Sequence, residues 1–215
     1  MALYGIALFG NTTIGLVLFV THLLASLTVG ILFRFWKFNK KSHSNTAYTL
    51  SNPSNKKIAP NFNNLGAIMQ RSIMNSINTI VMIGGFVMIF SVIISILNNT
   101  KFFDILEMFL SPLLTTLNIP SSFVNGFFAG IIELTNGVSQ IAKIPFKAIS
   151  FNIILCSFLL GFGGVSILLQ VLSITSSSDI SIKPYIIGKL MQGSFAALYT
   201  YLLLSNFTFL NFDIW

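Results

Sequence analysis

A chain of 215 residues in which 54% are apolar, only 8% are charged and 22 are phenylalanine has too little polar surface to fold as a domain in water. The net charge of +7 does not change this, because seven of the twelve basic residues fall between Arg34 and Arg71 instead of spreading over a surface. No aromatic pattern or recognition motif interleaves those charges, which argues against nucleic acid as a partner.

The uncharged runs Ser72–Thr100, Ala148–Ser178 and Met191–Phe212 each exceed the ~20 residues that cross ~30 Å of hydrocarbon. They are continuously apolar and do not alternate, so helices are expected and a barrel is not. The fold class read from the chain is an all-α, multi-pass membrane protein with about four to six transmembrane helices, some broken or re-entrant. Residues 1–36 should hold the first transmembrane helix, 37–64 a basic linker and 65–215 the main transmembrane domain. The lipid bilayer is the first expected partner, and the cell membrane the location.

In chain order, Met1–Gly10 carries no basic side chain and therefore does not read as a secretory n-region. A helix over Thr12–Phe35 ends at Arg34, and Lys37, Lys40, Lys41, Lys56, Lys57 and Arg71 follow, which places that loop in the cytoplasm and the helix N-terminus outside. Pro53 and Pro60 interrupt the linker, and Asn64 is expected to cap the next helix, which leaves the membrane near Asn98. Lys101–Asn118, with Asp104 and Glu107 on an apolar helix, suits the interface plane. Ser121–Ala142 is apolar but carries Glu133, Thr135, Asn136, Gly137, Ser139 and Gln140, as a re-entrant or discontinuous helix would. Ala148–Ser178 is too long for one crossing and should break at Gly161, Gly163 and Gly164, after which Pro184 leads to a last helix over Ile186–Leu204.

Two segments are candidate sites. A charged carboxylate deep in lipid costs on the order of 3 kcal/mol even on lenient scales, so Glu133 is expected either to act or to fix packing through a partner. Gly137 would let that helix unwind, with Thr135 and Asn136 supplying hydrogen-bonding groups at the break. In the second segment, a helix restarting after Gly163 and Gly164 would aim free N–H groups at an anion, and Ser166, Gln170 and Ser173 recur near one face. No Lys or Arg between Lys147 and Lys183 could meet that anion instead. The plain reading of those glycines is close helix packing, and Gly126 with Gly130 is assigned to packing outright. His22 reads as a structural histidine and His43 as a linker residue. Cys156 is the single cysteine, and no carboxylate pair, nucleophile set or phosphate-binding loop is visible. Neither enzyme chemistry nor a cofactor or metal site is therefore expected.

The stretches Thr21–Phe35 (THLLASLTVGILFRF), Gly130–Gly137 (GIIELTNG), Gly161–Ser173 (GFGGVSILLQVLS) and Pro184–Leu190 (PYIIGKL) resemble the sporulation integral membrane protein YlbJ family, whose members carry nucleoside-recognition or gate domains. The resemblance implies a role in endospore formation, with dipicolinic acid moved across the outer forespore membrane into the spore. It makes residues 65–215 a gate-type domain, within which Glu133, Thr135, Asn136, Gly137, Gly163, Gly164, Ser166, Gln170 and Ser173 are the expected substrate-binding or gating positions for a small anion. Leu168 departs from the family, where a histidine is common. Family members are also longer, so this chain resembles their C-terminal part, half of an inverted-repeat carrier that would need a second copy or a separate N-terminal half. Transport of nucleosides or ions, and a structural role in a sporulation complex without transport, are the alternatives.

Overall fold

The computed structural model describes residues 2–35, 65–116, 118–145, 149–176 and 181–206. The basic linker with His43, the Asn64 cap and Lys147 lie outside the described residues. Among the described residues all regular structure is helical: α1 (Ala2–Phe9), α2 (Thr12–Phe35), α3 (Leu65–Asn99), α4 (Phe102–Thr116), α5 (Ser122–Ile132), α6 (Leu134–Ala142), α7 (Ile149–Phe162), α8 (Gly164–Thr175) and α9 (Lys183–Asn206). The protein is an all-α membrane protein. Three segments, Thr12–Phe35, Leu65–Asn99 and Ser150–Thr175, are long and apolar enough to cross a bilayer.

The residues before Thr12 form a helix of their own, separated from α2 by Gly10 at φ +64°. Asn11 then starts α2, its Oδ1 accepting from the Thr13 N–H at 2.8 Å. α9 runs antiparallel to α2 and α7, since Thr200 meets Thr21 and Ser157 at one end while Gly188 faces Phe33 and Gly193 faces Gly161 toward the other. The α7–α9 crossing depends on absent side chains: a Cβ at Gly161 would stand 2.7 Å from the Gly193 Cα. Small residues let backbones approach where lipid offers no hydrophobic drive between helices. Buried hydroxyls of Thr21, Ser157 and Thr200 then join the three helices, with Thr200 Oγ1 2.7 Å from Ser157 Oγ and 3.2 Å from Thr21 Oγ1.

The core gathers Ile14 and Leu18 of α2, Phe123 of α5, Leu134, Val138 and Ile141 of α6, and Ile153, Cys156, Leu159 and Leu160 of α7. α6 is tied to α7 by Asn152, whose amide donates to the carbonyls of Ile141 and Ile144 at 2.9 Å each and so satisfies the open end of α6. α3 contrasts with this core. Its 35 residues extend about 52 Å at 1.5 Å per residue, and only Ile94 is buried among them. Ile80, Val81, Met88 and Ile89 point outward, as side chains in lipid do.

Candidate functional site

The sequence GIIELTNG folds as a helical hairpin with a turn of one residue. α5 ends at Ile132, Glu133 takes extended backbone angles (φ −140°, ψ 120°), and α6 starts at Leu134. The two helices return alongside each other: Gly126 faces Ile141, and Gly130 faces Gly137 so closely that a Cβ on Gly137 would lie 2.0 Å from the Gly130 Cα. At 11 and 9 residues the arms are about 16 and 14 Å long, each about half of a ~30 Å crossing and so too short to span it alone. The sequence reading placed the break around Gly137; it lies at Glu133 instead. Gly137 is one turn inside α6, where its missing side chain admits the partner backbone, so its contribution is contact and not unwinding.

Glu133 is 2% exposed and caps α6 with its own carboxylate. Oε1 accepts from the Thr135 N–H at 3.0 Å; Oε2 accepts from the Thr135 hydroxyl at 2.6 Å, the Asn136 N–H at 2.9 Å and the Asn136 side-chain amide at 3.0 Å. The same amide donates to Ser91 Oγ on α3 at 2.8 Å, which ties the hairpin tip to that helix. Hydrogen bonds to a charged group are worth about 1.5–3 kcal/mol each, and a helix N-terminus adds up to ~2 kcal/mol, so together they offset a burial cost near 3 kcal/mol.

The second break lies between α7 and α8, where Gly163 (φ +90°) and Gly164 (φ +77°) take consecutive left-handed conformations that side chains rarely adopt. α8 begins without a side-chain cap. This break rests directly on the first: the Gly164 Cβ position is 3.0 Å from the Gly130 carbonyl oxygen, and 3.3 Å from the Ile131 carbonyl oxygen and the Leu134 nitrogen. Just beyond it Ser166 and Gln170 are buried and bonded to each other, Gln170 Nε2 donating to Ser166 Oγ at 3.2 Å. Ser173 does not join them. Burial along α8 falls away after Gln170, and the exposed Ser173 hydroxyl instead donates to the Met82 sulfur on α3 at 3.7 Å.

Lys189 is the residue that reading along the chain missed. Scanning between Lys147 and Lys183 finds no cation near the Gly163 break, yet α9 carries Lys189 past it, with the Lys189 Cε 3.5 Å from the Gly163 Cβ position. Its ammonium donates to Gln192 Oε1 at 3.0 Å, and Gln192 Nε2 lies 3.3 Å from His22 Nε2 on α2. The available signal was that a lysine six residues inside an apolar helix is expensive and needs a reason. His22 is accordingly part of a polar chain between two helices.

Compared with known proteins, the chain is 31% identical over 206 residues to the sporulation integral membrane protein YlbJ of Bacillus subtilis (strain 168), an alignment covering 92% of this chain and 50% of that relative. The chain thus spans about half the length of the curated relative it matches. No family model and no solved structure matches it.

Proposed function

The chain is homologous to the sporulation integral membrane protein YlbJ over half of that protein's length, and from that premise we propose that it is one half of a carrier moving a small dianion, dipicolinate, across the outer forespore membrane. The observation that carries this reading is the contact between two helix breaks, Glu133 and Gly163–Gly164, inside an apolar bundle. Broken helices in transporters offer backbone groups to a solute that has shed its water, and here one break is sealed by its own carboxylate while the other has no side-chain cap. The second break is therefore the substrate side, with Gly164, Ser166 and Gln170 next to the ligand, and the Glu133 hairpin is the wall it closes against. A second copy, or a separately encoded half, completes the path.

Nucleosides and ions are the competing cargoes. A structural role without transport is the competing class, and the full satisfaction of Glu133 within its own hairpin favours it. Flux into proteoliposomes containing the full chain, measured with dipicolinate, nucleosides and divalent metals, separates the three. The carrier reading expects dipicolinate uptake that Gly164→Val abolishes while the protein stays in the membrane. Uptake of a nucleoside or metal instead would reassign the cargo, and no uptake of any solute, also after co-reconstitution with the N-terminal half of a YlbJ relative, would leave the structural role.

A further inference from the structure

The N-terminal end of α9 and the C-terminal end of α2 enclose an open groove of about 390 Å³. Val29 and Phe33 of α2 and Pro184 and Tyr185 of α9 give it apolar walls, and Lys189 with Gln192 forms its polar end. Three observations make that end specific. An ammonium has three donors, one of which Gln192 takes among the described residues, so two remain for a ligand. Among the described residues Lys189 has no carboxylate within ion-pair distance, so its charge is uncompensated in a largely apolar setting. The donor-only ammonium also fixes the Gln192 amide: its oxygen faces Lys189, its nitrogen faces His22 Nε2, and the His22 proton is placed on the buried Nδ1, which has no hydrogen-bond partner. Gln192 is thereby held from behind and in turn holds the ammonium toward the groove.

We propose that this groove is a binding site for a small carboxylate with an apolar body, recognised by the Lys189 ammonium and packed against the α2 and α9 walls. A cation that is partly desolvated, oriented by an amide and adjoined by aromatic and aliphatic surface fits that class and discriminates against its neutral analogues. The site stands beside the Gly163 break, since the Lys189 Cε lies 3.5 Å from where a Gly163 Cβ would be. Resting on the carrier reading, the groove is the station at which the anion waits before it reaches the α7–α8 break, and it lies at the end of α2 that Arg34 marks as cytoplasmic.

Equilibrium binding to the full chain in nanodiscs tests this with dipicolinate and benzoate as anionic probes and benzamide as the neutral one. Both anions should bind and benzamide should not. Lys189→Met should weaken anion binding by about tenfold or more, and Lys189→Arg should retain it within about threefold. Gly188→Leu leaves the cation in place but puts a side chain toward Phe33 and Val29, whose nearest atoms are 3.5 and 3.8 Å from the Cβ position, and should abolish binding by filling the groove. Unchanged binding in both Lys189→Met and Gly188→Leu, or equal binding of benzamide, would overturn the proposal. Lys189-dependent binding without any flux in the wild type, also after co-reconstitution with the N-terminal half of a YlbJ relative, would uphold the groove and sink the carrier, whereas flux indifferent to Lys189→Met would do the reverse.

Discussion

The two helix breaks of this bundle solve one problem in opposite ways. At Glu133 the chain interrupts itself with a side chain that immediately supplies what the interruption removed: the carboxylate accepts from two backbone N–H groups of the new helix and from two side chains of its first turn. At Gly163–Gly164 the chain uses left-handed glycine conformations and supplies no side-chain cap. The first is a closed tip that holds a helical hairpin together; the second leaves backbone next to Ser166, Gln170 and the Lys189 stem. A break in an apolar helix thus does not by itself make a solute site. What matters is whether its polar groups are already satisfied, because only unsatisfied ones gain by meeting a ligand.

The largest test of this contrast is Gly137→Val. Its Cβ would fall 2.0 Å from the Gly130 backbone, which no rotamer relieves, so the hairpin arms must part at a cost above about 3 kcal/mol. Loss of the protein from the membrane fraction and of its thermal transition in detergent is expected; a stable variant would mean that the hairpin is looser than described. Gly164→Val should be milder for the fold. A β-branched residue at φ +77° carries about 1–3 kcal/mol of strain, and its Cβ meets the hairpin tip at 3.0 Å. The protein should persist with a lowered transition while dipicolinate in complemented spores falls, and normal dipicolinate would move the solute path away from this break.

Glu133→Gln sharpens the comparison most directly. The amide keeps the shape but turns one oxygen into donors that face the donors of Thr135 and Asn136, so stability should drop by about 1–3 kcal/mol in denaturant or thermal melts. Anion binding in nanodiscs should hold. Impaired binding with unchanged stability would make the tip a solute contact and erase the distinction. Gln170→Ala should do the converse, weakening binding by about 0.5–1.5 kcal/mol with little change in melting, because among the described residues the amide's hydrogen-bond partner is the Ser166 hydroxyl alone. The smallest effect belongs to Ser173→Ala, expected within about 0.5 kcal/mol in stability and neutral in binding, since that hydroxyl is exposed and turned toward Met82. A binding defect there would extend the site along α8.

Much of the architecture was legible from residue order alone. Uncharged runs longer than the hydrocarbon thickness determine that the chain is a helical membrane protein, and Thr12–Phe35, the hairpin segment and the Gly163–Gly164 interruption are all visible as local patterns of polarity and glycine. Such patterns follow from the backbone's own hydrogen bonds and the solvent's thickness, which act over one element at a time. Tertiary structure alone decided that the turn falls at Glu133 and not at Gly137, that Ser173 parts from Ser166 and Gln170, and that the two breaks touch. It also decided that Lys189 lies beside a break 26 positions earlier in the chain. The physical reason is that these placements depend on how closely helices can cross, and that distance is set by pairs such as Gly130 with Gly137 and Gly161 with Gly193. Each glycine is unremarkable alone, and only the facing backbone shows why no side chain can stand there.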